Sequence, residues 1–429
     1  MFSIHAHART ACATAISLCL ASVGLFPLSG RAANAETPVD LSYAIAQALR
    51  HNPDLAGTAY LLRADDARIA QSGLRPAPEL SVQVEDFAGT GRAQGLSGAQ
   101  ATFALSQTIE LGGRRDRRIS AAEAARDLTR IETQARQLDV LAEVTRRFVE
   151  VAAGQERLAL SHRGVDLARR TVDEVRQRVE AAKAPEVDLH RARIAQSRAL
   201  LAEENAEHEL LSARYKLAAM WGATDDRFGA IEADLYRLPE VATFESLVVR
   251  LKANPDFLRF ASEGRLRDAE VRLAESRRRP DIQLAAGVRR LQDTRDEALV
   301  ASISIPLFAG DRAEALVAEA QSERALVDAH HQAALVRVRA QLFELYQELH
   351  HALIEAKTLR DEVLPAQEAV LEQAQTAYQR GRYSYLDWTA AQAELLEARR
   401  ALIEAAADAH RYLADIERLT GEPVATSPN

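Results

Sequence analysis

The order of residues in the first half of the chain is written again in the second, and this duplication limits the fold more than any other feature. Asn52-Pro53-Asp54 recurs as Asn254-Pro255-Asp256, and Pro78-Glu79-Leu80 recurs at the same offset as Pro280-Asp281-Ile282. After a slightly shorter intervening stretch, Gly113-Arg114-Arg115 recurs as Gly310-Asp311-Arg312, followed by Asp188 and Asp387 and by Gly222 and Gly421. A sequence repeated in this way specifies one supersecondary unit used more than once. The copies are read as residues 36–228 and 244–429, joined by a linker at 229–243 that holds Gly229 and Pro239.

Each copy carries the same succession of signals. A helical stretch of roughly 36 residues stops ahead of Pro78 or Pro280, because the residue before a proline is driven out of the helical region. Two short alternating segments around a polar loop follow, at about 79–87 and 99–111 in the first copy and about 281–291 and 297–307 in the second. A helical hairpin then closes each copy, over about 113–222 and 310–421. Its first arm holds about 70 residues, or about 100 Å of helix. Leu335, Val338, Leu342, Leu345 and Leu349 step by three and four along it, as coiled-coil seams do. Hydrophobic residues make up 47% of the chain and aromatic ones only 5%, so these seams rest on Ala, Leu and Val. The fold class is mainly α with a small β part. The two half-length helices of a copy together match its long arm, which suits a tube wall.

The alternating segments each have one apolar face. Leu80, Val82 and Val84 line the first, and Phe103, Leu105 and Ile109 the second. Ile282, Leu284, Ala286 and Val288 line the third, and Leu299, Ala301, Ile303, Ile305 and Leu307 the fourth. Strands of this kind, about 9–11 residues long, can cross a bilayer at a tilt, although hairpins covering a soluble core alternate in the same way. No apolar run long enough for a membrane helix follows residue 35, so a crossing has to use the strands. Four strands cannot close a barrel, and an open edge in lipid leaves backbone groups unpaired. Closure then needs a ring of copies, with eight strands from two chains or twelve from three. A bore wide enough for solutes favours twelve.

Residues 1–35 read as a signal peptide. Arg9 precedes an apolar run from Ala11 to Leu28, and Ala33-Asn34-Ala35 satisfies the small-x-small cleavage rule. Cys12 and Cys19, the two cysteines, fall inside it, so the exported chain is expected to have no disulfide and no cysteine metal site. A net charge of −8 without a concentrated basic face argues against nucleic acid. No phosphate-binding loop joins a strand to a helix and no catalytic constellation stands out, which points away from an enzyme. His330-His331 and His350-His351 are neighbours that diverge by about 100° on a helix. With His162, His190, His208 and His410 they read as structural or solvated, and no metal or cofactor is expected. The runs Arg114-Arg115-Asp116-Arg117-Arg118 and Arg277-Arg278-Arg279 read as solvated or interfacial anchors.

Taken in order, the duplicated Asn-Pro-Asp, the Pro-led hairpins, the stretch from Ile303 to Gly310 and the run Gly381-Arg382-Tyr383-Ser384-Tyr385-Leu386-Asp387 resemble the TolC-like outer-membrane efflux family. The resemblance spans essentially the whole exported chain. Within that family, Glu79 to Gly89 and Leu105 to Arg114 are similar to the branch serving cobalt–zinc–cadmium and related cation efflux. The resemblance implies a homotrimeric exit duct in outer-membrane lipid with a long periplasmic part. A twelve-stranded barrel would continue into a twelve-helix tunnel, working with a periplasmic adaptor and an inner-membrane proton-driven pump to export heavy-metal cations. It also implies that the two helix breaks form the adaptor contact and the periplasmic aperture. These are Ala182, Lys183, Ala184, Pro185, Val187 and Asp188 in the first copy, and Gly381, Arg382, Tyr383, Ser384, Leu386 and Asp387 in the second. Three Asp387 carboxylates would converge at a closed tip and attract cations, while Ala390 and Ala391 stand where relatives carry a second acidic ring. Two other readings are a drug or protein export duct on the same fold, and a soluble periplasmic coiled-coil scaffold or adaptor.

Overall fold

The computed structural model describes residues 38–240 and 242–422, and the signal-peptide reading of residues 1–35 falls outside them. In the first half, α1 (Leu41–His51), α2 (Pro53–Ala56) and α3 (Thr58–Ser72) precede β1 (Glu79–Glu85) and β2 (Gln100–Ile109), and α4 (Arg114–Glu180) and α5 (Glu186–Ala219) follow. The second half runs through α6 (Phe244–Leu251), α7 (Pro255–Ser276), β3 (Ile282–Leu291), β4 (Glu297–Ser304), α8 (Ala309–Thr358), α9 (Leu364–Gln379) and α10 (Tyr385–Thr420). The protein is mainly helical with one small sheet. α4 runs 67 residues without a break, which makes it about 100 Å long.

Prolines account for the places where the helices depart from the sequence reading. The second long arm is not continuous: a single π-helical turn, Leu359–Val363, separates α8 from α9. Pro365 has no N–H to donate back along the ladder, and a widened turn absorbs the mismatch. The opening helix of each half is divided as well. Asn52 and Asn254 cap the helix that follows, accepting from the amides of Asp54 (2.9 Å) and Asp256 (2.7 Å), with Pro53 and Pro255 at the first helical position. Both Asn side chains also reach the far end of their own half. Asn52 Nδ2 donates to Met220 O at 2.9 Å, and Asn254 Nδ2 donates to Arg418 O at 2.7 Å and Leu419 O at 3.0 Å.

The core follows the helix seams. Leu342 and Leu349 are fully buried on α8, packed with Leu247, Phe257 and Ile416. Val144 and Val151 of α4 pack with Leu217 of α5 and with Ala44 and Ala48 of α1. The two halves are joined along α4 and α10 by a run of ion pairs, Asp139–Arg418 (2.6 Å), Arg146–Asp415, Glu150–Arg411 (3.0 Å) and Arg157–Glu404 (2.9 Å). The connection between the halves is an ordered strap. Ile231 bridges to Val39, the side chain of Gln155 holds both the N–H (2.8 Å) and the C=O (3.1 Å) of Ile231, and the ring of His410 lies 3.0 Å from Leu235 O.

The strands form one antiparallel sheet in the order β1-β2-β3-β4, with Ile109 of β2 opposite Ile282 of β3. Their substantial contacts are with one another, and among the described residues no helix covers either face. The register gathers Leu80, Val82, Phe103, Leu105, Leu284, Val288, Leu299 and Ile303 on one face. That face is bare: Leu299 is 88% exposed and Leu80 72%. The opposite face carries Gln100, Thr102, Ser106, Gln283 and Arg289, and only its centre on β2 is sheltered, with Ser81, Gln83, Gln283 and Ser302 exposed. Thr102 and Ser106 are buried there, Arg289 Nε donates to Thr102 Oγ1 at 3.0 Å, and Gln283 Nε2 donates to Ser106 Oγ at 3.4 Å. A half-buried antiparallel sheet in water hides its apolar face; this sheet leaves its apolar face bare. At Gly287 a Cβ would lie 2.2 Å from Phe103 O, so the close approach of β3 to β2 requires glycine.

Arginines bind the sheet to the helices. Arg114 pairs with Asp281 and donates to Arg279 O (3.1 Å), and Arg115 donates to Gly73 O (2.6 Å). Arg118 pairs with Glu110 and donates to Leu74 O (3.1 Å). Three of the four arginines in the first basic run are therefore clamps between strand ends and helix ends, and only Arg117 is left as the exposed, solvated residue that the sequence suggests.

Candidate functional site

At the end remote from the sheet, both helical hairpins turn, and the two turns use the same backbone device. After α4, Ala182 takes a left-handed conformation (φ 53°) while its amide bonds Val179 O at 2.9 Å and the Lys183 amide bonds Arg178 O at 2.7 Å. After α9, Gly381 takes φ 71°, its amide bonds Tyr378 O at 2.9 Å, and the Arg382 amide bonds Ala377 O at 2.8 Å. This is the Schellman ending of a helix, in which the left-handed residue is usually glycine. Ala182 fills that place at a steric cost that Gly381 avoids.

The return helices start differently. Pro185 leads into α5 with φ −76°, the value its ring imposes. Ser384 leads into α10 through a capping box: its hydroxyl accepts from the Asp387 amide at 3.2 Å, and Asp387 Oδ2 accepts from the Ser384 amide at 3.0 Å and from its hydroxyl at 2.7 Å. The Ser384 hydroxyl, and then its backbone amide, hold the Asp387 carboxyl below the usual aspartate range. Asp188, its counterpart in the first half, is not a cap. It is largely enclosed and lies 3.4 Å from Arg191.

One cluster brings the two turns together. Val172 and Val175 of α4, Leu189 of α5, Tyr378 of α9, and Tyr385 and Trp388 of α10 are buried in it. Tyr378 stacks on Trp388 with centroids 4.8 Å apart and planes at 20°, and the Arg178 guanidinium sits 4.6 Å above the Tyr378 ring. Arg178 also donates to Gln379 O at 2.9 Å, which ties the first hairpin to the second. Burial raises the pKa of Tyr378 and of Tyr385, and the nearby Asp188 charge adds to both shifts. Over this cluster Lys183, Arg382 and Ser384 are exposed and Ala184 half-buried, and three larger apolar side chains face outward: Val187 (49%), Tyr383 (51%) and Leu386 (55%). Arg178, Tyr378 and Trp388 were not singled out from sequence. In a chain with two tryptophans, an aromatic trio flanking a turn is the signal that could have marked them.

The histidines go to separate partners. His331 lies beside Phe260 (5.2 Å), His350 beside Tyr346 (4.5 Å), and His351 3.8 Å from Glu355. Burial lowers the pKa of His410. Among the described residues no group of three or more His, Cys, Asp or Glu side chains could hold a metal ion. Also among them, no helix is long and apolar enough to cross a membrane, a fact that does not bear on the sheet.

Known proteins match along most of the chain. A family model described as outer membrane efflux protein fits residues 44–223 and 248–422. The cobalt-zinc-cadmium resistance protein CzcC of Cupriavidus metallidurans is 30% identical over 384 residues, covering 90% of this chain and 90% of that one. The nickel-cobalt-cadmium resistance protein NccC of Alcaligenes xylosoxydans xylosoxydans is 26% identical over 301 residues, 68% of this chain and 67% of that one. Among solved structures, the outer membrane protein VceC of Vibrio cholerae shares the fold with a TM-score of 0.71 at 18% identity, over 90% of this chain and 96% of that one. With both halves matched by one family model and a relative aligned nearly end to end, the chain belongs to the outer membrane efflux protein family.

Proposed function

We propose that this protein is the outer-membrane exit duct of a tripartite, proton-driven efflux system that exports heavy-metal cations. The observation that carries the reading is the sheet, bare along its whole apolar face, lined on the other face by polar side chains that shelter Thr102 and Ser106, and unpaired at both β1 and β4 among the described residues. In lipid such a sheet needs further strands at both margins. Three copies supply twelve, with the polar faces lining a bore and the two tandem repeats of each chain, 36–228 and 244–429, contributing four strands and four helical columns. The long helices then form a periplasmic tunnel of twelve helices. The metal resistances after which CzcC and NccC are named support cations as cargo. The signal peptide at 1–35 supplies the export route.

At the tunnel end, Val187, Tyr383 and Leu386 form the apolar contact for a periplasmic adaptor, with Lys183, Ala184, Pro185 and Arg382 around them. The inner-membrane pump supplies the energy. Asp387 faces the aperture with one carboxylate oxygen engaged in its cap, and three copies attract cations there.

A deletion strain challenged with zinc, cobalt, cadmium, copper and a drug panel tests the cargo. Sensitivity to the metals alone, restored by the full chain, is expected; sensitivity confined to drugs would replace cations with the drug-duct reading. Asp387→Asn keeps a capping acceptor while removing the charge, so single-channel recordings should show lower cation selectivity with little change in conductance.

A further inference from the structure

We infer that arginines at the helix-joined end of the sheet form a collar that binds the phosphate of an acidic glycerophospholipid in the inner leaflet of the outer membrane. The inference rests on the reading of the sheet as a membrane wall. Arg75, Arg117, Arg277, Arg278, Arg279 and Arg312 are exposed and form no ion pair among the described residues, whereas their neighbours Arg114 and Arg118 are committed to Asp281 and Glu110.

These six come from all four junctions between sheet and helices. Arg75 precedes β1, Arg117 lies in the first turn of α4 after β2, Arg277 to Arg279 precede β3, and Arg312 lies in the first turn of α8 after β4. Exposed apolar surface flanks them, Leu74 (67%) beside Arg75 and Leu307 (70%) and Phe308 (74%) between β4 and Arg312. A collar at this height lies where acyl chains give way to headgroups.

Two further observations point to phosphate. Membrane barrels are usually held at the interface by belts of tryptophan and tyrosine. Neither residue occurs between positions 73 and 118 or between 275 and 312, so a tryptophan–tyrosine belt is missing and the arginines stand in its place. An arginine stem can lie along apolar surface while its fork binds phosphate oxygens in pairs. The charge is also one-sided. Over residues 73–79, 110–118, 275–282 and 304–312 there are nine arginines against six carboxylates, Asp116, Glu275 and Asp311 among them. At the loop end, residues 85–100 and 289–297 carry four against five. A positive excess at one end, in a chain of net charge −8, selects an acidic headgroup over a zwitterionic one.

The test uses the full exported chain in detergent, offered equimolar phosphatidylglycerol and phosphatidylcholine and examined by native mass spectrometry. Phosphatidylglycerol should be retained roughly fivefold or more over phosphatidylcholine. The combined Arg117→Gln, Arg277→Gln, Arg278→Gln, Arg279→Gln variant should bring the ratio near parity, while Arg92→Gln with Arg295→Gln, at the loop end, should leave it unchanged. Absence of preference in the parent, or an equal loss in the loop-end variant, would overturn the collar. Lipid A retained as well as phosphatidylglycerol, through the same four arginines, would overturn the inner-leaflet assignment. Insertion into phosphatidylcholine vesicles, resistant to alkaline carbonate, tests the membrane wall separately: insertion without lipid preference defeats the collar alone, and failure to insert defeats the wall.

Discussion

Asn52 and Asn254 show how one side chain can hold an entire half of the molecule. Each caps a helix with its oxygen and, with its nitrogen, satisfies carbonyls at the end of that half's last helix. Asn254 is 1% exposed, so its removal strands buried polar groups as well as a cap. Asn254→Ala should destabilise by about 2–4 kcal/mol in denaturant unfolding. At the tips the unequal pair Ala182 and Gly381 makes opposite predictions from one geometry. Ala182→Gly should stabilise by about 0.5–1 kcal/mol, and Gly381→Ala should destabilise by about 1 kcal/mol or more, both read as shifts in denaturation midpoint. The Asp387 cap also fixes a pH dependence. Its folded pKa is depressed by hydrogen bonds from Ser384, so its stabilising effect is complete above the unfolded aspartate value. That effect is lost only as pH falls through the lower folded value. Amide exchange at Asp387, measured against Asp188, should accelerate only in that acidic range.

At the scale of elements, the sheet carries the sharpest expectation. Leu105 lies in the middle of its bare face, 56% exposed, and if that face is the proposed membrane wall, Leu105→Arg places a charge in hydrocarbon. The cost is about 2–4 kcal/mol, and should appear as loss of a heat-resistant multimer on gels, whereas Thr108→Arg, on the opposite polar face with Gln283, should be far milder. Much of this level could be read from the chain. Alternation at Leu80, Val82 and Val84 marks a strand by itself, and the stride from Leu335 to Leu349 marks a helix seam by itself, because both signals are local. What stayed hidden was set by distant partners. The long arm after Gly310 has helical periodicity throughout, and only the mismatch around Pro365 produces the π turn. Likewise the arginines after Gly113 look solvated until Glu110, Asp281 and the carbonyls of Gly73 and Leu74 are brought beside them. The tip residues were legible as a helix break, but Arg178, Tyr378 and Trp388, which join the two turns, meet only in three dimensions.

For the whole molecule, the family and its mainly helical architecture follow from the duplicated order of short signals, and a single-hairpin adaptor does not fit a chain with two. The halves are held along α4 and α10 by ion pairs that are partly solvated, the Arg418 side chain at 15% exposure being the most enclosed. Such pairs weaken with salt, so Arg418→Gln, which breaks contacts to both Asp139 and Asp256, should lose about 1–2 kcal/mol at low ionic strength and less at high. The margins of the sheet reach further than stability. A solitary subunit entering a bilayer would carry two fringes of thirsty amide and carbonyl groups into oil, and no rearrangement of its own four strands could quench them. On the proposed reading of the sheet as a membrane wall, entry into the lipid and the meeting of subunits become a single event, steeply dependent on how many chains are present together. Below that density the proposed duct would stay outside the lipid, its helical columns already built and its greasy ribbon still looking for company.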